Sequence, residues 1–301
     1  MAMLTRRRFL AICAASVALP ARAGTIREWR GVAMGSAASI RLSHPDADAI
    51  IARALAEVDR LEDIFSLYRP DSTLVRLNAT GVLEAPPFEL LECLALAGRV
   101  HAATGGLFDP TIQPLWSLYA AAYAVGRSPT GSEIGMALAR CGWARVKFDS
   151  GEIRLAPGMA LTLNGIAQGF VADKVADLLR AEGLNRILID TGELSALGPQ
   201  PDGTPWPVTL DAGAGTLALA DRALATSAPL GTVFDAAGTV GHILHPATGR
   251  PAPALWQIVS ISAPSAALAD ALSTAGCLMT SRAAIVAAVS AFPSARLEAA
   301  V

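Results

Sequence analysis

The chain has 301 residues, of which 52% are hydrophobic and 17% charged, and its formal net charge is −2 at pH 7. This composition excludes an intrinsically disordered chain, and the 26 glycines, 19 prolines and 4 cysteines, which show no period, exclude collagen-like and disulfide-scaffold proteins. No uninterrupted apolar run approaches the ~20 residues of a membrane-spanning helix. The composition therefore predicts one large soluble domain, or two lobes, around a substantial core.

The first 23 residues have the features of an export signal. Three consecutive arginines at positions 6–8 precede a short apolar stretch, which closes with Ala-Arg-Ala before Gly24. This pattern is typical of a twin-arginine signal peptide, and the alternative is a retained N-terminal membrane anchor. Cleavage after Ala23 removes four arginines and no acidic residue, so the formal charge falls from −2 to −6. We therefore expect residues 24–301 to form a periplasmic protein that neither spans a membrane nor binds nucleic acid.

The hydrophobic periodicity switches repeatedly between 2 and 3.6 residues, which indicates strands and helices in mixed order. Predicted helices cover residues 47–65, 87–103, 132–141, 166–181, 266–278 and 282–292. Predicted strands cover residues 36–42, 145–148, 153–155, 160–163, 186–189, 208–210, 216–219, 223–226, 240–244 and 257–261, the second and third forming a hairpin. Since this order is not a βαβ repeat, we predict an α+β fold of mixed sheets with flanking helices. The loop at 199–207 could divide the domain into two lobes.

The chain contains none of the compact catalytic signatures, such as GxGxxG after a strand, a Walker A loop, HExxH or a GxSxG elbow. A site must therefore come from several separate stretches. In the first, residues 105–111 place a carboxylate and an aromatic ring on a turn, which could equally be a helix stop followed by an Asp turn. In the second, residues 163–170 lead from a strand into a helix, whose free N–H groups could hold a phosphate or be merely structural.

The third and fourth stretches carry carboxylates and histidines. Residues 189–193 end a predicted strand with two carboxylates beside a glycine, and turn formation explains them as well as ligand binding does. Residues 241–251 contain His242 and His245, whose i, i+3 spacing sends the rings to opposite faces of a strand. A joint metal site is therefore not expected unless the strand ends at Leu244. The two open interpretations are a single histidine acting as base or hydrogen-bond donor, and a turn histidine.

The fifth stretch places polar side chains in an apolar helix. Asp270 and Thr274 are four residues apart and share one face of the predicted helix at 266–278. If this face points inward, the carboxylate needs a partner, and an Asp, a Thr hydroxyl and a backbone carbonyl form the all-oxygen set that Mg²⁺ prefers. If it points outward, Asp270 is a solvated residue near a helix N-terminus, where it favours the helix dipole.

Taken in order, these stretches resemble one family, the ApbE-type FAD:protein FMN transferases, over residues 34–279. The matched segments keep the order and spacing of the family's motifs, and they are Met-Gly-Ser at 34–36, Phe-Ser-Leu-Tyr-Arg-Pro-Asp-Ser at 65–72, Leu-Asn at 77–78, Gly-Leu-Phe-Asp-Pro-Thr at 106–111, Asn-Gly-Ile-Ala-Gln-Gly-Phe at 164–170, His-Ile-Leu-His-Pro-Ala-Thr-Gly at 242–249 and Ala-Asp-Ala-Leu-Ser-Thr at 269–274. Enzymes of this family cleave the pyrophosphate of FAD with Mg²⁺. They attach FMN through a phosphoester to a Thr or Ser of an acceptor protein and release AMP.

The resemblance implies a role for individual residues of this chain. The residues implied to line the FAD site are Met34, Tyr68, Leu107, Phe108, Asp109, Thr162, Gln168 and Ile243. The implied Mg²⁺ ligands are the Gly165 carbonyl, Asp270 and Thr274, with Ser273 adjacent. Phosphoryl transfer also needs a base for the acceptor hydroxyl, and His242 is the candidate.

This chain departs from the family's pattern at three positions. Thr162 and His245 stand where the family usually has aspartates, and Gln168 stands where it has a lysine. The Thr-Leu-Asn-Gly-Ile-Ala-Gln-Gly form, together with the leader, resembles the NosX-type branch, which is associated with nitrous oxide reductase maturation through a flavinylated membrane partner. The alternatives are a non-catalytic FAD-binding maturation factor and an exported small-molecule binding protein without flavin.

Overall fold

The computed structural model describes residues 26–301, so the predicted export signal lies outside the described residues. Its helices are α1 (Ala47–Phe65), α2 (Thr73–Thr80), α3 (Phe88–Ala103), α4 (Gln113–Ala124), α5 (Gly131–Leu138), α6 (Ala167–Ala181), α7 (Ala266–Gly276) and α8 (Arg282–Ser290). Its strands are β1 (Arg27–Ala33), β2 (Ser36–Leu42), β3 (Val82–Glu84), β4 (Lys147–Phe148), β5 (Glu152–Arg154), β6 (Ile187–Asp190), β7 (Leu194–Leu197), β8 (Trp206–Leu210), β9 (Gly215–Leu219), β10 (Arg222–Ser227), β11 (Val259–Ala263) and β12 (Arg296–Ala300). None of the helices in this described part is both long and apolar enough to span a bilayer.

The largest sheet in residues 26–301 has seven strands in the order β1-β2-β6-β7-β10-β11-β12. Every neighbouring pair in it is antiparallel. Strands β3, β5 and β4 form a small second sheet, which contains the predicted hairpin, and β8 pairs with β9. The predicted α+β class is confirmed. The loop at 199–207 does not divide the large sheet, because β10, which follows the loop, pairs with β7, which precedes it, and β11 and β12 continue the same sheet.

Both faces of the large sheet are covered at β6, near its centre. In β6, Ile187 and Ile189 join the main core with the helices, whereas Leu188 points to the opposite face and packs with Trp206 and Leu219 of the β8–β9 hairpin. This alternation follows from the two-residue period of a strand. It explains why β6 has an almost entirely apolar sequence, since neither of its faces meets solvent.

Helices α6 and α7 cross at very short range within the main core. A Cβ added to Gly169 in α6 would lie 2.3 Å from the carbonyl oxygen of Ala266 at the start of α7. The Asp173 carboxylate, one helical turn further along α6, accepts hydrogen bonds from Ser265 Oγ at 2.7 Å and from the backbone N–H groups of Ala266 at 2.7 Å and Ala267 at 3.0 Å. A glycine and a capping carboxylate therefore fix the position of α7 against α6.

We expect the Gly169→Ala variant to be less stable than the parent by about 1–3 kcal/mol, because the new methyl group overlaps backbone that cannot move independently. Thermal unfolding followed by circular dichroism should show a lower Tm, by roughly 2–4 °C for each kcal/mol. The matched control is Gly135→Ala in α5, where an added Cβ meets nothing within 4 Å. That control should stabilise the chain by about 0.4–1 kcal/mol. An unchanged Tm for Gly169→Ala would contradict the close crossing.

The segment 160–163, predicted as a buried strand, is buried but is not a strand. Its backbone groups are satisfied by a side chain: Asn78 Nδ2 donates to the Leu161 carbonyl at 2.8 Å, and the Leu161 N–H donates to Asn78 Oδ1 at 2.7 Å. The Thr162 N–H donates to the Pro110 carbonyl at 2.8 Å. These bonds replace the hydrogen bonds that a neighbouring β-strand would make. The apolar segment can therefore lie in the core without such a strand.

The segment 240–244, also predicted as a strand, forms only isolated bridges. Gly241 pairs with Val233, and Leu244 pairs with Pro251. The segment therefore changes partner within four residues, and no continuous ladder forms. Helices α2 and α4 and strands β1, β3, β7 and β12 were not predicted from the periodicity. The other predicted helices and strands are confirmed, with ends that differ by up to three residues.

Candidate active site

The implied cation ligands come from the turn before α6 and from the facing side of α7. A Cβ added to Gly165 in the turn would lie 3.0 Å from the hydroxyl oxygen Oγ1 of Thr274. Further along, the Gly169 N–H donates to Oδ2 of Asp270 at 3.4 Å. The short crossing of α6 and α7 thus brings Gly165, Asp270 and Thr274 together, although they are far apart in the sequence.

Hydroxyl groups surround this cluster. Ser273 Oγ donates to the Asp270 carbonyl at 2.9 Å, as a buried helical serine commonly does. Ser227, the last residue of β10, places its Oγ 2.7 Å from Ser273 Oγ and 3.4 Å from Thr274 Oγ1. Ser227 therefore connects the end of the large sheet to the cluster on α7.

The Asp270 carboxylate is buried, with 3% of the residue exposed. Burial raises the pKa of Asp270 above its ordinary value, the Gly169 N–H opposes this rise, and the charge of Asp173 adds to it. No cationic side chain of the described residues contributes to that pKa. Of the two orientations that the sequence left open for Asp270, the structure has the inward one. A buried carboxylate without a cationic partner must either take up a proton or meet a cation.

The donor set fits Mg²⁺ better than a softer metal. It offers a carboxylate, a threonine hydroxyl and the backbone of Gly165, all of them oxygen donors. Residues 26–301 contain no group of three His, Cys, Asp or Glu side chains that could hold a metal ion. Mg²⁺ is commonly held by one or two carboxylates and by substrate phosphates rather than by a full protein cage. The cluster therefore fits a cation that binds together with a phosphorylated ligand.

Met34 and Tyr68, both implied to line the flavin site, are held near each other by an ion pair. Met34 has a positive φ of 50°, and its N–H donates to Oε1 of Glu62 at 2.5 Å. Arg69 Nη2 donates to Oε2 of the same glutamate at 2.5 Å. A Cβ added to Gly35 would lie 4.0 Å from the ring of Tyr68, which is 73% exposed. The arrangement presents an open aromatic face beside a strained turn.

Gln168 and Thr162, two of the positions that depart from the family's pattern, both make hydrogen bonds. Gln168 Nε2 donates to Oγ of Ser36 at 2.6 Å, which joins the start of α6 to the turn that contains Met34. Thr162 is tied through its backbone to Pro110, at the end of the Gly-Leu-Phe-Asp-Pro-Thr turn. Gln168 is thus near Met34 and Tyr68, and Thr162 is near the turn at 106–111.

The turn at 106–111 is fixed by His101 of α3 and by its own side chains. His101 Nδ1 lies 2.8 Å from the Phe108 carbonyl. Asp109 Oδ1 accepts from both the N–H and the hydroxyl of Thr111, at 2.8 and 2.6 Å. The Phe108 side chain packs in the main core, whereas Leu107 is half-buried at its edge. The turn could therefore meet a ligand through its backbone and Leu107, while the ring of Phe108 anchors it.

His242 is held so that one ring nitrogen can act as a base. Its Nδ1 and its backbone N both lie 3.0 Å from the Thr232 carbonyl, so Nδ1 carries the hydrogen and Nε2 keeps a lone pair. Burial lowers the pKa of His242, and the Thr232 carbonyl opposes part of this change. The adjacent Ile243 is buried, and its carbonyl accepts from the Ala252 N–H at 2.7 Å.

His245 has a different environment. Its Nδ1 accepts from the Ala247 N–H at 3.1 Å, and its own N–H donates to the Arg250 carbonyl at 2.8 Å. These bonds close a local turn. His245 is therefore a turn histidine, and His242 is the one with a fixed tautomer suited to proton transfer.

Two residues near the site were missed by sequence reasoning. Ser227 directly follows the predicted strand at 223–226, and only its position at a strand end distinguishes it from other serines. Glu62 is a half-buried residue of α1, and its contact with Met34 depends on tertiary packing. A single sequence carries no signal for such a long-range contact.

Comparison with known proteins gives the family of this chain. The family model described as the ApbE family matches residues 34–296. A FAD:protein FMN transferase of Treponema pallidum (strain Nichols) is 31% identical, covering 80% of this chain and 75% of the relative, and one of Klebsiella pneumoniae (strain 342) is 27% identical, covering 87% and 80%. The crystal structure of the apo flavinyl transferase ApbE from Pseudomonas stutzeri superposes with a TM-score of 0.79 at 26% identity, covering 91% of this chain and 92% of that one. Since the family match covers most of the chain, including α6, α7 and all the implied site residues, this chain belongs to the ApbE family.

Proposed function

We propose that this protein is an FAD:protein FMN transferase, which moves FMN from FAD to a Thr or Ser hydroxyl of an acceptor protein in the presence of Mg²⁺. The acceptor oxygen forms a bond to the FMN phosphorus, the bond from that phosphorus to the bridging oxygen breaks, and AMP leaves. The acceptor proton passes to the base. The names of the sequence relatives support the transferase activity.

The observation that carries this proposal is the convergence of Gly165, Asp270 and Thr274 around a buried carboxylate that has no cationic partner. These residues would hold Mg²⁺, which would neutralise the charge that develops on the pyrophosphate.

The remaining residues would orient the two reactants. Tyr68 offers an exposed aromatic face on which a flavin or adenine ring can stack, and the Glu62 carboxylate holds Met34 beside it. His242 Nε2 would accept the proton of the acceptor hydroxyl, since its Nδ1 hydrogen is engaged by the Thr232 carbonyl. Gln168 would contact FAD as a neutral donor where other family members have a lysine.

The proposal is tested by incubating the mature protein with FAD, Mg²⁺ and a soluble acceptor domain that has a single target threonine. The matched control is the Thr→Val variant of that acceptor. We expect release of AMP and an acceptor that stays fluorescent after denaturation, and neither product with the control acceptor. Tight FAD binding without AMP would instead support a non-catalytic FAD-binding maturation factor. Absence of FAD binding would support a small-molecule binding protein without flavin.

We also propose that the protein acts in the periplasm on a membrane-associated acceptor, as in the NosX-type branch. The export signal at residues 1–23 supports this location. Replacing Arg6 and Arg7 together by lysine preserves the charge but removes the twin-arginine pair. We expect this variant to accumulate as a folded precursor in the cytoplasm, measured by fractionation and immunoblotting. Normal amounts of mature protein in the periplasm would exclude the twin-arginine route.

A further inference from the structure

Glu193 is a buried carboxylate with an unsatisfied oxygen. It lies in the turn between β6 and β7, and only 6% of the residue is exposed. Its Oε2 is the only buried side-chain nitrogen or oxygen of the described residues that has no hydrogen-bond partner. Native proteins rarely leave such an atom unpaired, because burial without a partner is unfavourable for a polar atom and more so for a charged one. The orphaned oxygen therefore indicates a missing partner.

Glu193 lies between two segments that lead to the cation cluster. On one side, Thr191 Oγ1 donates to the Gln168 carbonyl at 3.2 Å, and a Cβ added to Gly192 would lie 3.2 Å from the Gln168 side chain. These contacts place the turn against the start of α6, the helix that follows Gly165.

On the other side, Glu193 adjoins the strand that leads to Ser227. In the antiparallel pairing of β7 with β10, Leu194 lies opposite Leu224. Glu193 precedes Leu194, so it lies one position closer to the end of β10. Ser227 at that end contacts Ser273 and Thr274. Burial first, and then the negative charge of Asp270, raise the pKa of Glu193 well above its ordinary value. The charge of Asp270 thus reaches the buried Glu193 carboxylate and disfavours its ionisation.

We propose that Glu193 supplies a second carboxylate to the same divalent cation site as Asp270. The inference rests on the proposed function, because it assumes that the cluster binds a divalent cation. A divalent cation that meets Asp270 alone leaves a net positive charge in a buried site, whereas Asp270 and Glu193 together neutralise it. One cation would also satisfy the orphaned Oε2. Mg²⁺ bound by two carboxylates and substrate phosphates is an ordinary arrangement for this ion.

The test is Glu193→Gln, which keeps the shape of the side chain and removes its charge. The affinity for Mn²⁺ alone is measured by isothermal titration calorimetry, and Tm is measured with and without Mn²⁺. We expect the Kd for Mn²⁺ to rise at least about tenfold, as for other supporting residues of metal sites. Without metal, Tm should be unchanged or higher, because a buried unpaired carboxylate has been removed. This pairing of effects distinguishes the proposal from a purely structural role, which predicts a lower Tm and an unchanged Kd.

The matched control is Asp190→Asn in the same turn, because Oδ1 of Asp190 already accepts from the Gly192 N–H at 3.1 Å. Its Kd for Mn²⁺ should stay within about threefold of the parent. If Glu193→Gln does not fold, Glu193→Asp retains the charge with a shorter reach, and it should also bind Mn²⁺ more weakly than the parent. A parent-like Kd in either folded variant overturns the inference about Glu193 alone. Failure of the parent to bind Mn²⁺, measured alone and again with inorganic pyrophosphate present, would instead remove the cation from the proposed function.

Discussion

The Asp270→Ala variant is expected to lose Mg²⁺-dependent AMP formation by about 10³-fold or more while it keeps its fold. Asp270 is the charged member of the implied ligand set, and it is buried between α6 and α7. Loss of a catalytic cation removes several kcal/mol of transition-state stabilisation, and each ~1.4 kcal/mol corresponds to a factor of ten. AMP is measured by liquid chromatography at several Mg²⁺ concentrations. The cap of α7 is formed by Asp173, so the variant should still fold.

Two further variants make this result specific. Thr274→Val keeps the shape of the side chain and deletes the hydroxyl, and it should show the same defect more weakly, because a neutral ligand is lost. Asp177→Ala in α6 removes a carboxylate whose ion-pair partner is Arg180 on the surface, and it should retain parent activity. Undiminished AMP formation in Asp270→Ala would remove this residue from the site, and an equal loss in Asp177→Ala would indicate a general charge effect.

The parts of the fold that were predicted correctly are those in which local periodicity and burial agree. Helix α1 has the predicted bounds because its apolar residues repeat at helical spacing on one face. Helix α4 was missed because its apolar and aromatic residues lie on nearly all sides, so it has no clear amphipathic period. Helix α5 and the loop at 230–245 pack against it. The segment at 160–163, in contrast, was predicted as a strand and forms none. Its apolar run is buried as predicted, but Asn78, a residue remote in the sequence, supplies the hydrogen bonds that a strand neighbour would have made.

The candidate site could be predicted in its residue types but not in its full membership. Asp270 and Thr274 share a helical face, which follows directly from their spacing. Their contact with Gly165 depends on the close crossing at Gly169, which only tertiary structure reveals. The same holds for Glu193, since turn formation and ligand binding explain an acidic residue after a strand equally well. Only its buried and unpaired oxygen separates the two interpretations.

The sequence pattern also left the roles of His242 and His245 open. Their hydrogen bonds now predict opposite effects on flavin transfer when each histidine is replaced. His245 Nδ1 is used as an acceptor within its own turn, so His245→Gln should transfer flavin at close to the parent rate. In His242, Nδ1 donates to the Thr232 carbonyl and Nε2 is left as an acceptor. The comparison between the two variants is therefore a matched one, because the same substitution is made three residues apart.

We expect His242→Gln to slow flavin transfer by about 10²–10⁴-fold, the usual range for a lost general base, with little change in the affinity for FAD. Because burial lowers the pKa of His242, the imidazole stays neutral below the ordinary value of about 6.5, so the parent rate should fall only at a pH below that value. This acidic fall should be absent in His242→Gln, since the group that takes up the inactivating proton is gone. Rates are measured from pH 5 to 8 as fluorescence of the acceptor domain, and the Kd for FAD from quenching of its fluorescence. A parent rate in His242→Gln, or a larger defect in His245→Gln, would make the base assignment wrong, and Asp109 would be the next candidate.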